Sequence, residues 1–265
     1  MTVLYTSPLK RAYSTAVSVQ QYQSKQLELN VKPDLWEQTF GVAEGHPWVL
    51  THPAIDAAMS NPNSDEALEK AILDLAAQGI FPDIIDRIHK FPGGESLGDV
   101  AIRAERVLKE SILAHFADYV ANGTMEDVHV VVVSHSVWIS EMMTTLVALD
   151  PQADHAVSYK GLVNTAWTRA VISVRVCHFL MSVPACVLTF ILLQDKFTSS
   201  FESSNPGPLE VKVTHFNNFD HLKSLVIIGP FGVFYTNICR NSRIQQLDDT
   251  CAGATIVKLN ATGPR

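Results

Sequence analysis

The chain has 265 residues, 47% of them apolar and only 18% charged, enough apolar content to fill the core of one large or two small domains. These proportions, with a mean hydropathy of +0.11, exclude a disordered chain, a collagen and a coiled coil. Twenty Lys and Arg stand against 27 Asp and Glu, a net charge of −7, so no nucleic-acid partner is expected through phosphate-backbone contacts.

Val3, Leu4 and Tyr5 read as a short strand. Ser7 and Pro8 then signal a helix start, with Ser7 at the N-cap and Pro8 at the first helical position, and the helix runs over about 9–23. Residues 32–48 are loop-like, broken by Pro33, Gly41, Gly45 and Pro47. Residues 65–78 form an amphipathic pattern with Leu68, Ile72 and Leu75 on one face. After a turn at Pro92, Gly93 and Gly94, Ser96 with Asp99 three residues on resembles a capping box that opens another helix. Residues 128–134, VHVVVVS, read as a strand buried on both faces, followed by a helix over about 137–149. Residues 164–174 and 209–216 alternate and read as an antiparallel strand pair. Strand, helix, loop, helix, buried strand, helix is the grammar of an α/β sheet covered by helices.

Two stretches depart from that grammar. Residues 176–194 are apolar and carry no formal charge, close to the ~20 residues that span a bilayer. Pro184 at their centre and the flanking strand pair favour an insertion (176–203) over a membrane span. Residues 226–265 form an atypical tail after a domain over 1–225. Cys177, Cys186, Cys239 and Cys251 lack metal-site spacing, which argues against a cysteine-based zinc site or a disulfide framework. The first residues lack the apolar core of a signal peptide, which predicts a cytoplasmic chain; membrane association through 176–194 is the alternative.

Four segments carry candidate chemistry. His135 stands where the buried strand gives way to a helix, the position at which open α/β sheets bind ligands. Arg11, early in a helix that also follows a strand, suits a pair of phosphate oxygens. Glu37 and Glu44 sit in a loop beside Trp36 and Phe40, where a carboxyl held against aromatics has a raised pKa and can serve as a general acid. Gly94, Ser96 and Gly98 match G-x-S-x-G formally, but a turn precedes them instead of a strand, so Ser96 reads as a helix cap.

The segments TSPLKRAYSTA, WEQTFGVAEG, PGGESLGDVAIRAERVL and VVVVSHS, followed by NTAWTRAVIS, occur in the order and approximate spacing of the histidine phosphatase (phosphoglycerate mutase-like) superfamily. The resemblance covers about residues 3–175 and a last strand near 209–215. It implies a three-layer α/β fold, a mostly parallel sheet flanked by helices. It also implies phosphoester hydrolysis or phosphomutase chemistry through phosphohistidine on a small phosphorylated metabolite, with no metal and no cofactor. Arg11 matches the phosphate-pocket arginine, Glu37 the general acid, and His135 the second histidine that binds the phosphoryl group. Ser136 stands where the family frequently has Gly.

The family's first strand ends in an Arg-His-Gly motif, and this chain contains no Arg-His pair. The resemblance therefore implies an N-terminally truncated domain that lacks the nucleophilic histidine and the first central strand, with a gap left in the sheet interior. The expectation is an inactive phosphatase-like chain, the hydrolase being preferred to the mutase because the segment over 45–91 is short. The alternative is a non-catalytic remnant that binds phosphorylated ligands or a partner. Oligomeric state is not legible.

Overall fold

The computed structural model describes residues 2–60, 64–84, 86–115, 128–174, 209–222, 226–229, 232–235 and 253–259. The apolar run at 176–194 and all four cysteines lie outside them. So does most of the tail.

A six-stranded mixed sheet forms the centre. Its strands are β1 (Val3–Thr6), β2 (Leu29–Val31), β5 (Val128–Ser134), β6 (Trp167–Val174), β7 (Leu209–Asn218) and β10 (Gly253–Leu259), in the spatial order β2-β1-β5-β10-β6-β7. The pairs β1–β2, β1–β5 and β10–β6 are parallel, whereas β10–β5 and β6–β7 are antiparallel. Two short parallel strands, β3 (Trp48–Val49) and β4 (Phe81–Pro82), pair apart from it, as do β8 (Val226–Gly229) and β9 (Gly232–Tyr235).

Strand alternation divides the core into two faces. Tyr5, Val130 and Val132 point toward α4 (Leu97–Val107) and α5 (Ser136–Ala148), where Val100, Ala104, Ile139, Met142 and Leu146 pack. Leu4, Val131 and Val133 point the other way, onto Ala12 and Ala16 of α1 (Lys10–Gln21). Helices thus cover both faces, which is why β5 has no polar side: its central valines are 0–2% exposed. Truncating Leu146 or Met142 to Ala in such a core costs ~2–5 kcal/mol. A second core joins α2 (Pro53–Met59) and α3 (Ser64–Ala77) through Ile55, Leu68, Ile72 and Leu75 to Phe81 and Phe91.

Three sequence expectations meet the structure closely. The strand at 128–134 has those bounds. Ser96 caps α4 in a reciprocal capping box with Asp99. The pair at 164–174 and 209–216 forms antiparallel β6 and β7.

Two expectations require correction. Ser7 is not a helix N-cap: α1 begins at Lys10 after an extended Leu9 with no side-chain cap. The Ser7 hydroxyl instead accepts the Leu9 amide, 3.2 Å away, in a turn that competes with helical capping. Nor does a gap interrupt the sheet. β10, from the C-terminal tail, lies between β5 and β6 and pairs with both, supplying the partners that interior backbone groups require.

Among the described residues no helix is long and apolar enough to cross a membrane.

Candidate functional site

β1 and β5 are adjacent and parallel, with Thr6 opposite Val133. From β1 the chain proceeds outward to β2, while β5 stands on its other side, the topology at whose strand carboxyl ends open α/β sheets bind ligands. The Ser7 amide extends the ladder by one bond, to the Val133 carbonyl at 3.0 Å. Ser7 and His135, the residues just past the two strands, therefore come face to face.

His135 is fully buried and occupies the N-cap of α5 in extended backbone, with no cap bond from its side chain. Its ring is used elsewhere. Arg11 Nε donates to Nδ1 at 3.1 Å across 124 residues of sequence, and Nε2 lies 2.9 Å from Ser7 Oγ. A guanidinium can only donate, so Nδ1 accepts and carries no proton. The ring proton then sits on Nε2 and is donated to the Ser7 hydroxyl, which also accepts the Leu9 amide.

Glu37 reaches the same corner from the loop after Pro33–Leu35. Its Oε1 accepts the Gln38 amide at 3.0 Å and the Trp138 amide at 3.3 Å, and its Oε2 accepts the Val137 amide at 3.4 Å. The carboxyl thus takes the first-turn N–H groups of α5 that the His135 side chain leaves uncapped. Burial pushes the Glu37 carboxyl above the ordinary glutamate range, opposed by the three amide bonds and by the Arg11 charge. Arg11, Glu37 and His135 are thereby brought together, whereas Glu44 is exposed and accepts the Phe40 amide at 2.8 Å.

The loop that bears Glu37 is fastened at three places. Ser134 Oγ donates to the Leu35 carbonyl at 2.7 Å, tying the loop to the end of β5. Farther along, Val42 N–H donates to the Pro92 carbonyl and Glu95 N–H to the Thr39 carbonyl, at 3.0 and 2.7 Å. The approach is so close that a Cβ on Gly41 would stand 2.2 Å from the Pro92 oxygen, and Gly41 holds a φ of +57°. Third, Arg103 of α4 donates to the carbonyls of Asp34 and Trp36 at 2.7 and 2.8 Å, while Glu95 takes its other edge at 3.1 and 2.9 Å.

Ser7, Ser134, Glu95 and Arg103 were not singled out by sequence for the site. Ser7 reads as a helix cap, Glu95 follows the turn as a variable position of the formal G-x-S-x-G match, and Arg103 lies on an amphipathic helix like any solvated arginine. Among the described residues no group of three or more His, Cys, Asp or Glu is placed to hold a metal ion. What the corner combines is a guanidinium, an imidazole, a hydroxyl and a helix N-terminus, all favourable to an anion, beside a carboxyl inclined to hold a proton.

No curated protein and no solved structure matches the chain. Residues 1–71 match the family model described as histidine phosphatase superfamily (branch 1). That span contains β1, Ser7, Arg11 and Glu37, and it ends before the strand and helix that place His135. The part of the chain that supplies Arg11 and Glu37 is therefore similar to histidine phosphatase superfamily (branch 1) sequence.

Proposed function

We propose that the corner at the carboxyl ends of β1 and β5 receives the phosphoryl group of a small phosphorylated metabolite. Arg11 and His135 bind the phosphoryl oxygens, and Glu37 carries the proton for the leaving group. The single observation that best supports this reading is the Arg11–His135 bond, which brings two sequence-distant phosphate-binding candidates to 3.1 Å. Arg11 is only partly buried, so its cationic fork borders the solvent from which a ligand arrives.

The lineage is that of phosphoester hydrolysis or phosphoryl transfer through phosphohistidine, hydrolysis being preferred. Covalent transfer needs a nucleophile in line with the leaving oxygen. The chain contains no Arg-His pair. His135 is a poor substitute, because its unprotonated nitrogen is engaged by Arg11. The 265-residue chain accordingly binds phosphate esters without turning them over, which favours a second reading as a non-catalytic binder of phosphorylated ligands or of a partner.

The test pairs turnover with binding. p-Nitrophenyl phosphate and a panel of sugar phosphates are assayed at pH 5–8 while inorganic phosphate binding is measured by calorimetry. Binding without turnover supports the proposal. Robust turnover abolished by His135→Ala would show that another residue serves as nucleophile. Absence of both would remove the phosphate reading.

A further inference from the structure

We infer that Arg103 is the positioning residue for Glu37, acting through the backbone of the loop and not through its own charge. The inference rests on the reading of Glu37 as the proton-carrying carboxyl of the site.

Arg103 sits on the buried side of α4 with its side chain 12% exposed. One edge of its guanidinium meets both Glu95 oxygens, at 3.1 and 2.9 Å. The remaining donors reach three carbonyls of one short segment: Asp34 at 2.7 Å, Trp36 at 2.8 Å and Glu37 itself at 3.4 Å. Glu95 adds to the same clamp, accepting the Thr39 amide on its carboxylate and Gln38 Nε2 on its carbonyl. A planar fork of five donors can satisfy this divergent set at once, whereas an ammonium cannot.

Glu37 has to stand with its two oxygens at the first amides of α5, and only a single 3-10 turn, Pro33–Leu35, precedes it to fix its path. Arg103 fixes it. Its charge is matched by Glu95, and Arg11, not Arg103, is the cation that bears on the Glu37 carboxyl. The groups facing that carboxyl are therefore Arg11 from α1, the α5 amides beyond His135, and the Gln38 amide of its own loop.

Arg106, one turn farther along α4, provides the contrast. It reaches the same loop, but only the exposed carboxylate of Asp34, at 2.7 and 3.0 Å with its own side chain 49% exposed. Such a surface pair contributes little to order.

The experiment reads the Glu37 titration directly, by following its side-chain carboxyl carbon by NMR and assigning the resonance from its loss in Glu37→Gln. Arg103→Lys preserves the charge and removes the fork. The pair Arg103→Gln with Glu95→Gln removes the clamp at constant net charge. With the loop released, Glu37 leaves its buried place, and its midpoint falls toward the ordinary glutamate range in either variant. Arg106→Gln keeps the wild-type midpoint. An unchanged or raised midpoint in folded Arg103→Lys overturns the inference, as does an equal fall in Arg106→Gln. If Arg103→Lys does not fold, the double variant decides. Failure of both to fold makes Arg103 a determinant of the fold instead and also overturns the inference. Phosphate binding by the wild type, followed at the His135 ring, is the separate test of the site reading.

Discussion

The Arg11–His135 contact is the hinge of this account, and its energy can be isolated by a double-mutant cycle. Arg11→Met keeps most of the aliphatic stem and removes the guanidinium; His135→Phe keeps a flat ring and removes both nitrogens. The bond joins a cation to a neutral, fully buried acceptor at 3.1 Å. Hydrogen bonds to charged groups contribute ~1.5–3 kcal/mol, and a buried acceptor deprived of its donor costs ~1–3 kcal/mol. Arg11 retains some solvent contact, which places the coupling near the low end. We expect ~1.5 kcal/mol, about a tenfold change in the folding equilibrium beyond the sum of the single effects. Urea unfolding of the four proteins at pH 7, followed by tryptophan fluorescence, gives the cycle. A coupling within ~0.3–0.5 kcal/mol of zero, the usual error of additivity, would refute the claim that these two side chains act as a unit.

Further outcomes follow from the same geometry. The 265-residue chain should show no significant hydrolysis of p-nitrophenyl phosphate between pH 5 and 8, and turnover sensitive to His135→Ala would contradict this. Gly41→Ala places a Cβ 2.2 Å from the Pro92 carbonyl at a φ of +57°, so it should destabilise by about 2 kcal/mol or more in urea unfolding; a loss under ~0.5 kcal/mol would mean that the two loops part easily. Burial holds the Glu37 carboxyl above the ordinary 4.5, so the folded chain binds that proton more tightly than the unfolded chain. The resulting stability is fully present below the ordinary value and is lost as pH rises through the folded midpoint. Glu37→Gln, neutral throughout, should abolish this decline, and unfolding free energies with the same pH slope in both proteins would refute the assignment.

Much of the sheet was legible because its signals are local. A run such as VHVVVVS admits a strand with both faces covered, and Ser96 with Asp99 states a helix start within four residues. Arg11, Glu37 and His135 could be selected from sequence because they sit at the strand ends and in the loop where the superfamily motifs place them. What escaped depends on long-range partners. β10 carries no signal of the two strands between which it lies, since a strand inserted into the middle of a sheet is specified by neighbours far away in sequence. Ser7 before Pro8 resembles a helix cap, yet its hydroxyl is drawn to the His135 ring 128 residues on. Arg103 reads as one more charge on an amphipathic helix, and only the folded loop reveals the carbonyls it gathers.

The most direct test of the central claim is a titration of the wild-type chain with inorganic phosphate, observed by NMR at the ring nitrogens of His135 and the Nε of Arg11. Saturable shifts are expected at both, with one shared dissociation constant, weakened about tenfold or more by Arg11→Met through loss of a charged hydrogen bond. Shifts that never saturate, or a dissociation constant that Arg11→Met leaves unchanged, would contradict it.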